Sequence, residues 1–130
     1  MAHKLLDDLG NLQRSVMELV WEMGEATVHQ VRDRLDRKSK PAYTTILTAM
    51  QKLEKAGWLS HRADGKTYVY LPTRTRQQAG ASSVRSFMER MFDGSAVVMF
   101  QHLIRDGRLS DAELAELKKM IDNRRKEKKK

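Results

Sequence analysis

Thr45, Thr48, Lys52 and Lys55 recur every three to four residues, with Thr44 and Gln51 beside them. On a helix that spacing puts short hydroxyls at one end of a face and long cations at the other. Such a face suits duplex nucleic acid, its first turns meeting base edges in the major groove and its later turns meeting phosphates. A plain solvated face has the same composition, so this helix alone leaves both readings open. Downstream, Arg62 and Lys66 flank Asp64-Gly65, the preferred pair for a two-residue type I′ hairpin turn, and the flanking residues are aromatic and β-branched. A hairpin with a basic tip following the hydroxyl-and-lysine helix tips the balance toward nucleic acid.

Other chemistries find little support. The 130-residue chain has no cysteine, which removes disulfides, thiol nucleophiles and thiolate metal sites together. His3, His29, His61 and His102 lie far apart without paired ligand spacing, so no metal site is expected. No glycine-rich phosphate loop or nucleophile elbow is present, and the expectation is a protein without catalytic residues or cofactor. No window nears the roughly 18 apolar residues of a membrane span, and the start turns acidic at Asp7-Asp8, so a cytoplasmic protein is expected. The net charge of +8 is uneven. Residues 1–72 carry 11 basic and 9 acidic side chains, while the run Arg124-Arg125-Lys126-Glu127-Lys128-Lys129-Lys130 alone supplies +5. Charge is therefore weak support for DNA binding, because a frayed solubilising end gives the same excess.

The elements that must position these residues follow from periodicity. Leu12, Val16, Leu19, Val20 and Met23 make one helical stripe, capped at Gly10 or Asn11 and ended at Gly24. Thr27 and Gln30 form a capping box before Val28, Val31 and Leu35, and Asp36-Arg37-Lys38-Ser39-Lys40 reads as a loop. Pro41 restarts the helical pattern, in which Ile46, Leu47, Met50 and Leu53 face inward until Gly57. With Asp64-Gly65 at the hairpin tip, Ala63 faces Lys66, Arg62 faces Thr67, and Leu59 pairs with Tyr70 nearer the base. Three short helices followed by a basic hairpin is the order of a winged helix-turn-helix, with the third helix in the major groove and the wing along the backbone.

Residues 75–92 read as a further helix broken at Gly94-Ser95; the apolar stretch Ala96-Val97-Val98-Met99-Phe100 with Leu103-Ile104 follows as a second, and after a turn at Asp106-Gly107, Ser110 and Glu113 cap a last helix carrying Leu114, Leu117 and Ile121. The result is a mainly α chain in two parts: a winged helix at 1–72 and a helical arm with a basic tail at 73–130. The arm's Phe87, Met88, Met91, Phe92, Val98, Met99, Leu103, Leu114, Leu117 and Ile121 form a wide apolar face on a unit too small to bury it alone. Either this face packs back on the winged helix as ordinary core or it meets a second copy. A homodimer is favoured, because paired reading helices match a two-fold operator and count each contact twice.

The sequence resembles the penicillinase repressor (BlaI/MecI) family of bacterial transcription factors, which has a copper-responsive branch. The matching residues are Leu9, Val16-Met17 and Leu19-Val20-Trp21; Thr27-Val28 and Val31; Ala42-Tyr43-Thr44-Thr45-Ile46-Leu47-Thr48 with Leu53-Glu54-Lys55 and Gly57; Gly65-Lys66, Tyr68 and Tyr70-Leu71-Pro72; and Leu109-Ser110 with Glu113-Leu114 and Leu117. The Tyr-Thr-Thr-x-x-Thr run ahead of Leu-Glu-Lys is the most specific piece. Gln13 stands where many members have Glu, and it can still close a capping box from position 10.

The resemblance implies a dimeric repressor on double-stranded operator DNA with inverted TACA/TGTA repeats, dimerised through residues 75–124. It implies release when a membrane sensor metalloprotease cuts the arm in the region matching 97–104, commonly at Asn-Phe, where this sequence has His102-Leu103. Metal sensing by terminal cysteines does not carry over to a chain that has none. The alternative reading is a winged-helix module that holds a protein partner through its apolar arm and does not bind DNA.

Overall fold

In the computed structural model, which describes residues 5–35 and 41–128, the elements run in the expected order. The expected loop at 36–40 lies outside the described residues, as do His3 and the last two lysines of the basic tail. A 3₁₀ turn, Leu6–Asp8, leads into α1 (Asn11–Met23); α2 (Val28–Arg34), α3 (Tyr43–Lys55), β1 (Leu59–Asp64), β2 (Thr67–Pro72), α4 (Arg76–Phe92), α5 (Ala96–Arg105) and α6 (Asp111–Lys128) follow. Contacts divide the chain into two compact units, Met1–Arg85 and Ser86–Lys130.

In the first unit, α1 buries Val16, Met17 and Val20, α2 buries Val28 and Val31, and α3 buries Ile46, Ala49, Met50 and Leu53. These stripes close one core over Trp58, Leu59 and Tyr70 at the hairpin base. Gly10 begins α1 without a side-chain cap, so Gln13 does not close the box expected there. Thr27 and Gln30 do cap α2, with Gln30 N donating to Thr27 Oγ1 at 3.2 Å and Thr27 N to Gln30 Oε1 at 2.9 Å. Pro41 lies just ahead of α3 rather than in its first turn, and Ala42 is the cap residue. There Pro41 O accepts from Arg32 Nε at 3.0 Å, which ties α2 to the start of α3. Gly57, at φ 90°, ends α3 with its N–H on Glu54 O and the Trp58 N–H on Leu53 O, a Schellman closure that turns the chain into β1.

The hairpin forms, but in a different register from the one expected. Asp64 pairs with Thr67, Ala63 with Tyr68, Arg62 with Val69, His61 with Tyr70, and Leu59 with Pro72. The turn residues are therefore Gly65 and Lys66, with Gly65 at φ 64° in the first central position, where a type II′ turn requires glycine. A type I′ turn on Asp64-Gly65 would also force Asp64 to positive φ, which the observed turn avoids. Ala26 and Tyr70 exchange backbone hydrogen bonds at 2.9 and 2.8 Å, adding a short third strand that anchors the wing to the α1–α2 connection.

The start of α4 belongs with this unit. Thr75 and Gln78 cap the helix reciprocally, Ala79 is buried in the core, and Arg76 pairs with Glu18 of α1 at 2.8 Å. Trp21 Nε1 donates to Arg74 O at 2.7 Å, and the Arg74 guanidinium lies 4.3 Å from the centre of the Trp58 ring.

In the second unit, Ser95 caps α5 by accepting from Val98 N, and Ser110 and Glu113 form the expected capping box at the start of α6. Neither α5 nor α6 buries any residue.

Candidate nucleic-acid interface

The side of α3 away from the core carries Thr44, Thr45, Thr48, Lys52 and Lys55, all exposed. Core residues at 46, 49, 50 and 53 fill the opposite side, so the hydroxyls and lysines emerge together as the helical repeat demands. Thr44, Thr45, Thr48 and Lys52 line one concavity of about 680 Å³, shared with Asp8 of the 3₁₀ turn and with Asn11 and Gln13 from the start of α1. Lys55 lies one turn further along, outside it. Among the described residues, Lys52, Lys55 and Lys66 have no ion-pair partner, so their charges are open to an anion.

Arg62 behaves differently. It was expected to cluster with Lys66 at the wing tip. Instead its Nη1 and Nη2 donate to Glu25 Oε1 and Oε2 at 3.0 and 2.6 Å, a two-pronged pair. The hydrogen bond from Arg62 holds the Glu25 carboxyl below its ordinary value, and the carboxylate in turn raises the Arg62 guanidinium. The register explains the difference, because Arg62 stands opposite Val69 rather than beside the turn. Of the two wing cations, Lys66 is the one left in the turn and unpaired.

A second hollow, about 380 Å³, opens on the other flank of α3, between the start of α2 and the hairpin. Tyr43 and Gln51 reach it from α3, His29 from α2, and Lys66 and Tyr68 from the wing. Apart from Lys66, and Gln51 beside the threonine and lysine face, none of these was singled out from the sequence as a functional residue. Tyr43 and Gln51 lie eight residues apart on one edge of α3, and that spacing was the available signal. His61 is not a free imidazole: its Nδ1 lies 2.6 Å from Glu54 Oε2, and its ring lies tilted against Tyr68 at 4.5 Å.

The arm residues expected to dimerise are brought together only in part. Leu114, Leu117 and Ile121 of α6 line an apolar groove of about 520 Å³ with Phe100 and Ile104 of α5 and Met120. Phe87 and Phe92 pack edge to face at 5.8 Å, and Phe92 stacks on His102 at 5.3 Å. Met91, Val98 and Leu103 are exposed, and Met88 and Met99 are half-buried; none of the five lines the groove. Among the described residues no cluster of three or more metal-ligating side chains occurs, and no helix is long and apolar enough to cross a membrane.

Known proteins share sequence with this chain over most of its length. The sequence profile of the penicillinase repressor family matches residues 9–123. The penicillinase repressor of Bacillus licheniformis is 26% identical over 127 residues, covering 95% of this chain and 99% of that protein. The transcriptional regulator BlaI of Mycobacterium tuberculosis is 31% identical over 101 residues, 76% of this chain and 73% of its own length. Among solved structures, the solution structure of the DNA binding domain of the repressor BlaI is 26% identical and covers 56% of this chain and 89% of its own, with a TM-score of 0.49. By the extent of the profile match and the shared residues along nearly its whole length, this chain belongs to the penicillinase repressor family.

Proposed function

We propose that the protein is a dimeric transcriptional repressor that occupies a palindromic operator built on TACA/TGTA inverted repeats and acts in the cytoplasm by occupancy, without catalysis or cofactor. One observation carries the reading: three threonines and an unpaired lysine of α3 line a single open concavity on the side away from the core. Thr44, Thr45 and Thr48 meet base edges and Lys52 and Lys55 meet adjacent phosphates. Lys66 is the wing's backbone contact, since Arg62 is occupied by Glu25.

Residues 1–72 read the DNA and residues 73–130 hold the second copy. The apolar groove of α5 and α6 supports that division, because a surface of this kind is costly to leave in water. Pairing the reading helices makes each contact count twice, which offsets the small net charge of the reading part. A cut by a membrane sensor metalloprotease within residues 97–104, inside α5, separates the two arms and removes that advantage.

Fluorescence anisotropy with a duplex carrying the inverted repeat, against a scrambled duplex of equal length, tests the reading. The repeat binds tighter by about 10³-fold or more. Lys52→Ala lowers affinity and reduces the slope of log K against log salt by about 0.9 per protomer. Equal affinity for the two duplexes would overturn the repressor assignment.

A further inference from the structure

We propose that the hollow between α2, α3 and the wing is a seat for the DNA backbone, taking a phosphate of the strand on the far side of α3 from the Thr45 and Lys52 concavity. The inference rests on reading α3 as the groove helix. A helix lying in a major groove has a sugar-phosphate rim on each side. Here α3 has a hollow on each flank, and the two differ in chemistry.

The first hollow has the acidic residue Asp8 in its lining. The second has no acidic residue in its lining and instead offers donors: the Lys66 ammonium, the Gln51 amide, and the hydroxyls of Tyr43 and Tyr68. Among the described residues neither tyrosine hydroxyl nor Lys66 has a polar partner. The two tyrosines are 39% and 52% exposed, large rings held at the surface with their polar ends free.

Each ring packs against a histidine. Tyr43 lies tilted against His29 with ring centres 4.7 Å apart, and Tyr68 lies at 4.5 Å against His61, itself held by Glu54 of α3. Rings positioned before binding lose little rotamer freedom on contact, so more of each hydrogen bond appears as affinity. The width of the hollow is set by the wing, which the Ala26·Tyr70 pairing and the Glu25–Arg62 pair tie to the α1–α2 connection.

The test uses the full chain with Tyr43→Phe, Tyr68→Phe and Lys66→Ala, and the repeat and scrambled duplexes. The Phe variants keep the packed rings and remove only the hydroxyls. Each is expected to bind both duplexes roughly tenfold more weakly, as loss of a hydrogen bond to a charged group implies, with the ratio between duplexes unchanged. Lys66→Ala also lowers the salt slope by about 0.9 per protomer. Replacing the seated phosphate by a neutral methylphosphonate reproduces the loss in the parent protein and adds none in Tyr43→Phe.

Phe variants that bind both duplexes like the parent would overturn the seat, as would a loss confined to the repeat duplex, which would mark a base contact. A parent protein that does not distinguish the duplexes defeats the operator reading instead, while equal losses on both would still support the seat.

Discussion

The winged-helix unit and the arm treat their apolar residues in opposite ways. In the first, Val16, Val20, Ile46, Met50 and Leu53 have no accessible surface, and in the second α5 and α6 bury nothing. Both halves form regular, capped helices, so helix formation and core formation are separate achievements here. The arm's helices are held by local hydrogen bonds and caps, and within one chain their apolar faces are left uncovered.

The sharpest way to break the comparison is to remove a methyl-rich side chain from each half. Leu53→Ala should cost about 2–5 kcal/mol of unfolding free energy in urea titration, because it opens a cavity in a closed core. Ile104→Ala, at a site 55% exposed, should cost under about 0.5 kcal/mol if the arm is solvated and clearly more if a second copy covers it.

Ile104→Asp sharpens the point. It should shift sedimentation equilibrium to monomer and weaken binding to the repeat duplex by about 10²-fold through lost avidity, while the thermal midpoint of the winged helix hardly moves. A dimer that survives this substitution would place the interface elsewhere.

The smallest effect concerns the wing tether. Because Arg62 depresses the Glu25 carboxyl, the pair stabilises the fold above the ordinary value of 4.5, and the contribution fades as pH falls through the lower folded value. Glu25→Gln should therefore lower the melting temperature slightly at pH 7, and the difference should shrink as pH falls through the lowered folded value. A difference that is constant with pH would mean that the tether contributes through packing rather than charge.

Much of the fold was legible because its signals are local. The stripe of α1, the capping boxes at Thr27 and Ser110 and the ends at Gly24 and Gly57 all lie within a few residues of the bonds they make. The threonine and lysine face of α3 was legible for the same reason. The reciprocal cap at Thr75 is equally local, and Ala79 enters the core from the helical turn that follows it. Which cation of the wing stays free was not legible. Arg62 meets a carboxylate 37 residues away, and that meeting depends on a register set by one turn residue.

From its sequence alone, the protein's helices, their caps and its basic hairpin could be derived, because periodicity and capping act over single turns of chain, and the repressor family showed as a resemblance of motifs. Only the folded molecule decided that Glu25 claims Arg62, that His29 and His61 pack against two tyrosines, and that α3 is flanked by two unlike hollows. Those pairings join residues distant in sequence, and a shift of one residue in strand register changes every partner across the hairpin.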